Sequence, residues 1–540
     1  MDQCLNTAEL IPLICETLDQ GTAFAFSLTK KNFLEPALNI VWHRISSFKP
    51  FLACVPTDLW RSELTGSGMG RDRVPVAHLQ RSLAPNDLQR YLNYYAPRIR
   101  ELSLLDWKRE DDPILSPAFL RALQLATSRK PGALAPSLLF FEWVPIMSLR
   151  VALGDEIAQH LPMFMSLFLG PNVLSARLEL GSTFPGETST TYDATRTLNK
   201  LKELFLSIDD TELVNDYLST FTGTWTNLET LHLAFVDNDG IALLASLPRL
   251  KSLKINNCEV IPSYPPGDLP GPSYIPHNMF SALEDAYITT NTIEEAIGFI
   301  QQLPPKRTAF RKLRLHTMDK ALYPDAQHLI GAIEIHCNPD VLESVIWVMG
   351  MTRTYEGRCY DESKSVDLDD MLNIDGLFEF HKLTRLDLRL KTLVRVTPDQ
   401  AMRMSKAFPK MTRLHLRCHS FYSSFPPLID HTHLLAILKG CPALKSLNIR
   451  FDATRITGLE SVPGFSSSLS KLHVGDSPIC SPTRVADFIN ANLEALDELT
   501  SYDNGCFGGY NIFHERWEVV VEDVLGPQDD DSSVQPYDDF

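Results

Sequence analysis

Apolar residues return along this chain in a fixed figure: one apolar residue, two others, then an apolar pair flanking a polar residue. Leu383-Thr-Arg-Leu386-Asp-Leu388 shows it in full, as do Leu201-Lys-Glu-Leu204-Phe-Leu206, Leu228-Glu-Thr-Leu231-His-Leu233 and Leu250-Lys-Ser-Leu253-Lys-Ile255. Met411-Thr-Arg-Leu414-His-Leu416, Leu444-Lys-Ser-Leu447-Asn-Ile449 and Leu469-Ser-Lys-Leu472-His-Val474 continue it. The alternation inside each copy is that of a strand with one buried face. Between copies, Gly240-Ile-Ala-Leu-Leu-Ala-Ser-Leu247 and His431-Thr-His-Leu-Leu-Ala-Ile-Leu438 place apolar residues at i, i+3 and i+4, as a helix buried on one side does.

A unit of one short strand and one returning helix cannot bury its apolar face alone, so it must stack on copies of itself. The figure is that of a leucine-rich-repeat strand. It predicts an α/β leucine-rich-repeat solenoid, a parallel β ribbon with helices on the convex side. Anchors fall near Ile99, Leu174, Leu201, Leu228, Leu250, Leu283, Phe310, Leu342, Leu383, Met411, Leu444, Leu469 and Leu493. Cys258 suits the turn that closes such a strand, and Asp209 and Asp452 can substitute for it elsewhere. Segments rich in proline, glycine or serine interrupt the array at Val260 to Asn278, Gly181 to Thr197, Met351 to Met371 and Ile456 to Ser468, and are expected as loops on one rim. Ordinary βα units in an open sheet are the alternative use of the same strands.

Before the repeats the rhythm changes. Glu9-Leu10-Ile11-Pro12-Leu13-Ile14-Cys15-Glu16-Thr17-Leu18 is apolar at helical spacing, with Thr7 as a candidate N-cap and Asp19-Gln20-Gly21 as a break. A second run covers Thr22 to Phe33 and a third runs from Glu35 to Trp42. The expected organisation is a helical module over 1–50, a helical linker over 51–98, a degenerate repeat solenoid over 99–505, and a C-terminal segment with an acidic disordered tail over 506–540.

The amino-terminal residues resemble the F-box, a three-helix module that docks on the Skp-type adaptor of cullin–RING ubiquitin ligases. The likeness is carried by Glu9-Leu10, the Ile14 and Leu18 ridge, Phe33 in the usual tryptophan place, and Glu35-Pro36-Ala37-Leu38 leading to Trp42. The family's leucine–proline opening reads Thr7-Ala8 here, and its valine–cysteine–arginine stretch reads Thr29-Lys30-Lys31. Phe48-Lys-Pro-Phe-Leu52, followed by Asp87 to Leu102, is similar to the linker and first repeat of the fungal F-box family with leucine-rich repeats. That resemblance implies a non-catalytic substrate receptor with a Skp-type adaptor and a cullin as partners. Glu9, Leu10, Leu13, Ile14, Leu18, Leu28 and Phe33 would be its adaptor contacts. Three helices could equally serve only as a polar-faced cap on a stand-alone repeat scaffold.

Bulk properties narrow the choice. The 540 residues carry a formal charge of −17, which disfavours wholesale binding to nucleic acid. Part of that acidity lies at the end, in Asp529-Asp530-Asp531 and Asp538-Asp539. The ten cysteines are scattered, without CxxC spacing, and are read as reduced thiols of a cytoplasmic or nuclear protein. The start lacks a basic n-region, so no secretory signal is expected, and no apolar run is long enough for a membrane span. There is no phosphate-loop, nucleophile-elbow or HExxH motif, and His336-Cys337 has no partner pair at metal-site spacing. No active site, cofactor or metal is expected; an enzyme with its site in the insertions is a remote alternative.

Chemistry concentrates instead on the polar positions between the strand leucines, which alternation turns to the concave face. From Lys312 onward these are Lys312, Arg314 and His316; Arg385, Asp387 and Arg389; Arg413, His415 and Arg417; Ser446, Asn448 and Arg450; and Lys471 and His473. They predict a basic stripe with Asp387 as its single acid, suited to an acidic or phosphorylated protein segment. Solvated strand positions are also routinely polar for no further reason. Ser344, Ile346 and Val348, largely apolar, interrupt the stripe: either the insertion from Met351 to Met371 folds over them, or they form an apolar spot where Ile346 is a candidate contact.

Overall fold

The computed structural model describes residues 9–65, 74–104, 112–143, 161–180, 198–208, 214–216, 218–219, 223–260, 279–306, 309–318, 323–350, 372–390, 394–418, 426–461, 466–501 and 512–526. Thr7, Asp209, the insertions expected over 181–197, 261–278 and 351–371, and the acidic tail lie outside the described residues. The chain forms two units, Met1–Ile255 and Asn256–Phe540.

The first unit begins with α1 (Leu10–Glu16), α2 (Gln20–Ser27) and α3 (Lys31–Val41). Asp19 starts α2 by accepting the Thr22 N–H at 2.9 Å, which satisfies one donor the helix cannot use internally. Lys30 is extended, so the run expected over Thr22 to Phe33 is broken and Phe33 belongs to α3. Ile11, Cys15, Phe33 and Ala37 form the core of the module, with Phe26 and Ile40 packed against it. Phe26 and Phe33 stack at 4.3 Å between ring centres.

A parallel ribbon starts directly after α3. Arg44–Ile45 pairs with Glu101–Ser103, which pairs with Phe140–Trp143, then Ser175–Leu180, Glu203–Ile208, Thr230–Leu233 and Ser252–Ile255. The strands at Arg44 and Phe140 escaped the sequence pattern because Trp42, Phe141 and Trp143 occupy aliphatic positions; all three are buried. One anchor is displaced: Ala176 pairs with Leu204, so the anchor three residues earlier is the buried Val173 rather than Leu174.

The linker over 51–98 is not wholly helical. Trp60–Thr65 and Val74–Leu79 form an antiparallel pair, joined in parallel by Ile114–Leu115. Val76 and Ala77 are fully buried there, and a β-branched, alternating segment suits a pleated surface better than a helix.

In the second unit the ribbon runs through Asp285–Thr290, Lys312–Thr317, Ser344–Met349, Arg385–Leu390, Arg413–Cys418, Ser446–Asn448, Lys471–Gly475 and Glu498–Ser501, every neighbour parallel. Between them return Ile293–Gln301, Tyr323–His336, Pro398–Ala407, His431–Gly440 and Pro482–Asn492. Thr292 with Glu295 and Thr397 with Gln400 close reciprocal capping boxes that fix where two of these helices begin. A side chain at Gly440 would stand 2.2 Å from the Ser405 carbonyl oxygen, so only glycine permits that helix end.

Leu313, Leu315, Leu386, Leu388, Leu414 and Leu472 are all buried, and each fully buried leucine contributes roughly 1.5–3 kcal/mol. The last anchor is Leu496, three residues before Leu499; Leu493 ends the preceding helix instead. Asp452 does close a turn, accepting from the Thr454 N–H at 2.8 Å. A helix not expected from the sequence, Ile512–Leu525, closes the unit with Trp517 and Val520 buried.

Candidate functional site

Register decides which polar side chains meet on the open face of the second unit. One row contains Asp285, Lys312, Ser344, Arg385, Arg413, Ser446, Lys471 and Glu498. The next contains Tyr287, Arg314, Ile346, Asp387, His415, Asn448, His473 and Thr500. In a third, Arg389 lies beside Val348 and Arg417. The flanking strands therefore bring two acids, Asp285 and Glu498, onto the face that the sequence read as basic.

Much of the expected stripe is spoken for. Lys312 pairs with Asp285 at 3.3 Å and Lys471 with Glu498 at 2.6 Å, while Arg450 pairs with Asp476. Asp387 is fully buried and accepts two hydrogen bonds from Arg389, at 3.0 and 2.9 Å, with Arg385 at 3.5 Å. Desolvation pushes its carboxyl upward. The Arg389 hydrogen bond and the charges of His415, Arg389 and Arg385 outweigh that and hold it below its ordinary value.

Burial disfavours the cationic form of the stripe's histidines. Burial drives His415 down to about 3, against the pull of Asp387, and lowers His473 and His316 as well. His415 Nε2 lies 2.7 Å from Ser446 Oγ and its Nδ1 lies 3.6 Å from Asp387. The order Asp387, His415, Ser446 is that of a nucleophile relay, but its details oppose that use. Arg389 occupies the carboxylate, the imidazole is a weak base, and Ser446 is buried.

Ile346 and Ser344 are also buried, so the expected apolar spot is half closed, with Val348 its more open member. Arg314 is exposed and stands between Tyr287 and Ile346. His431 and His433 belong to the fold. His431 is buried near Glu460, and His433 lies 2.7 Å from Asp430, the residue that caps their helix. His336 is buried, its Nδ1 2.7 Å from the Leu303 carbonyl.

The first unit carries a polar row that the sequence did not reveal. Ser103 donates to Glu142 at 2.6 Å, and Arg177 reaches Glu142 at 3.3 Å. The Arg177 guanidinium lies 4.4 Å from the Phe205 ring centre, and His232 meets that ring edge-on at 4.2 Å. The signal was hidden because Glu142 belongs to the repeat with aromatic anchors.

The helical module presents a different surface. Leu10 is 37% exposed, Leu13 57%, Phe24 54% and Leu28 70%. Leu10 and Leu13 share one face of α1, and Phe24 and Leu28, the residue that caps the C-terminal end of α2, share one face there, by their three- and four-residue spacing. Of the other expected adaptor contacts, Glu9 is exposed, while Ile14 and Leu18 are half-buried. Phe33 is buried against Phe26, so its ring is core rather than docking surface.

No cluster of His, Cys, Asp and Glu able to hold a metal ion occurs among the described residues. A cavity beneath the first repeat is lined by Trp42, Phe48, Phe51, Tyr91 and Phe168, apolar groups that offer a ligand little to bind. No helix among the described residues is long and apolar enough to cross a membrane.

A parallel ribbon of short strands with buried leucines, returning helices and a polar open face defines an α/β leucine-rich-repeat protein. No family model and no curated protein matches the chain. Among solved structures it is similar to Rad7 in the Rad7 and Elc1 complex in yeast, at 12% identity and TM-score 0.31, over 64% of this chain and 73% of that one. It is similar to TLR13 in a TLR13-ssRNA13 complex, at 14% identity and TM-score 0.36, over 80% of this chain and 60% of that one. The leucine-rich repeat-containing protein LegL7 from Legionella pneumophila matches at 11% identity and TM-score 0.28, over 68% of this chain and 95% of that one.

Proposed function

We propose that the chain is a non-catalytic substrate receptor of an SCF-type cullin–RING ubiquitin ligase, working in the cytoplasm or nucleus. The α1–α3 module docks on a Skp-type adaptor, and the open face of the repeats holds a protein substrate. The observation that carries this reading is the exposure of Leu10, Leu13, Phe24 and Leu28 on a module whose core is already closed by other residues. Large apolar side chains left outside a finished core mark a surface for another protein. The receptor's contribution to rate is then proximity, a raised effective concentration of substrate lysine near activated ubiquitin.

A second reading is a stand-alone scaffold whose helices only cap the stack. It is favoured by the packing of Trp42 on Tyr95, at 4.5 Å between ring centres, which fastens the module to the first repeat. Capture of a purified Skp-type adaptor by the full chain separates the two. Wild type is expected to retain the adaptor, and Leu13→Asp and Leu28→Asp to lose it while melting as wild type. Adaptor retention by both variants counts against docking through Leu13 and Leu28, and no retention by wild type favours the scaffold.

A further inference from the structure

We infer that Arg314, set between Tyr287 and Ile346, anchors the substrate, and that it takes a protein segment carrying a carboxylate beside an aliphatic or aromatic side chain. This rests on the reading of the open face as the substrate surface and adds the chemistry of what is held.

Pairing singles out the residue. Lys312 is matched by Asp285, Arg385 and Arg389 by Asp387, Arg450 by Asp476 and Lys471 by Glu498. Arg314 is exposed and has neither a hydrogen bond nor an ion pair among the described residues. Lys312 and Asp285 pair with each other on the same two strands, so neither of them neutralises the guanidinium. Its complement is an anion, and the planar fork of arginine fits the two oxygens of one carboxylate.

The neighbours decide what accompanies that carboxylate. Register puts Tyr287 on one adjacent strand and Ile346 on the other, each about 4.8 Å away in the ribbon. Ile346 and the half-buried Val348 give an apolar floor, and Tyr287 gives an amphipathic wall. An exposed arginine beside a tyrosine, desolvated once a partner covers it, is the chemistry on which protein interfaces concentrate their binding energy. A nucleic acid fits less well: a chain of formal charge −17 repels a phosphate polymer, and a lone guanidinium among apolar groups offers one anion site rather than a track.

The test pans random dodecamer peptides displayed on phage against the immobilised full chain, in parallel with Arg314→Ala and Arg314→Lys. Wild type should enrich sequences with Asp or Glu next to Leu, Ile, Val or Phe. Arg314→Ala should recover the same clones about tenfold less well, and Arg314→Lys should keep part of the binding. Because Arg314 is exposed, both variants should melt as wild type does. Absence of enrichment, enriched sequences without acidic residues, or equal recovery on Arg314→Ala overturns the assignment. Displacement of the clones by single-stranded RNA homopolymer overturns it as well, in favour of a phosphate ligand. The panning needs no adaptor, so a failed adaptor capture leaves this readout intact.

Discussion

Arg98 donates to the main-chain carbonyl of Glu35 at 3.2 Å and also pairs with the Glu35 carboxylate, joining the first repeat to α3. The same guanidinium lies over the Tyr94 ring at 4.6 Å, and Tyr94 donates its hydroxyl to the other Glu35 oxygen. Together these contacts hold the Glu35 carboxyl below its usual range, the Tyr94 hydrogen bond foremost. The module is thus fixed to the repeats rather than hung from them.

Replacing Arg98 with Ala should loosen that junction without unfolding either side. The cost should be about 1–2 kcal/mol, kept low because the Glu35 carboxylate is more than half exposed to solvent. Hydrogen exchange is the measurement. Amides of α3 should exchange faster in the variant, while those of Arg385–Leu390 should not change.

Asp387 should be the costliest single charge to remove from the ribbon. Asp387→Asn leaves Arg385 and Arg389 facing a neutral amide in a buried site, which destabilises by about 3–5 kcal/mol. Urea unfolding of the variant should show a lower midpoint. Coupling Asp387→Leu with Arg389→Met should recover part of the loss, because no buried carboxylate or Arg389 charge then remains. A double variant no better than Asp387→Asn would contradict this.

Mild acid should weaken the protein through its histidines. His415 is held at about 3 by burial, and His473 and His336 are lowered for the same first reason. Burial disfavours their charged form in the folded chain, whereas the unfolded chain takes up their protons below about pH 6.5. Stability is therefore full above that value and falls with pH, by at most about 1.4 kcal/mol per pH unit for His415, with His473 and His336 acting in the same direction. For His415 the penalty stops growing near its folded value. Asp387, with a lowered carboxyl, stays charged throughout that window and adds its own loss only below its ordinary range. Denaturant midpoints between pH 7.5 and 5.5 should slope downward, and His415→Gln should flatten the slope; a parallel slope in that variant would refute the assignment.

Trp517 should prove essential to the end of the second unit. Its ring is fully buried against Phe451, at 6.2 Å between centres, and its indole N–H reaches the Ser477 carbonyl at 2.9 Å. Trp517→Ala should cost about 3–5 kcal/mol and expose Lys471–Gly475 and Glu498–Ser501 to faster exchange. Limited proteolysis confined to the last helix, with those strands still protected, would show that it caps nothing.

Legibility followed periodicity. Where leucine, isoleucine or methionine held the strand positions, as at Leu383 and Met411, the repeat and its buried side could be read directly. Where aromatics replaced them, at Trp42 and Phe141, the repeat was missed, and with it the Glu142–Arg177 pair. The Trp60–Thr65 strand pairs antiparallel across an intervening segment, which a search tuned to repeats does not register.

The amino-acid order alone determined the fold class, because alternation within a strand and the need to stack its apolar side are local properties. It also supplied the cations of the open face. Only the folded chain decided which of them face acids, since Asp285 reaches Lys312, and Glu498 reaches Lys471, through pairing between strands 27 residues apart. Parallel stacking sets that register by the packing of whole repeats, and no short window of sequence contains it. Arg314 looked like its neighbours in the sequence, and among the described residues the ribbon left it without an acid.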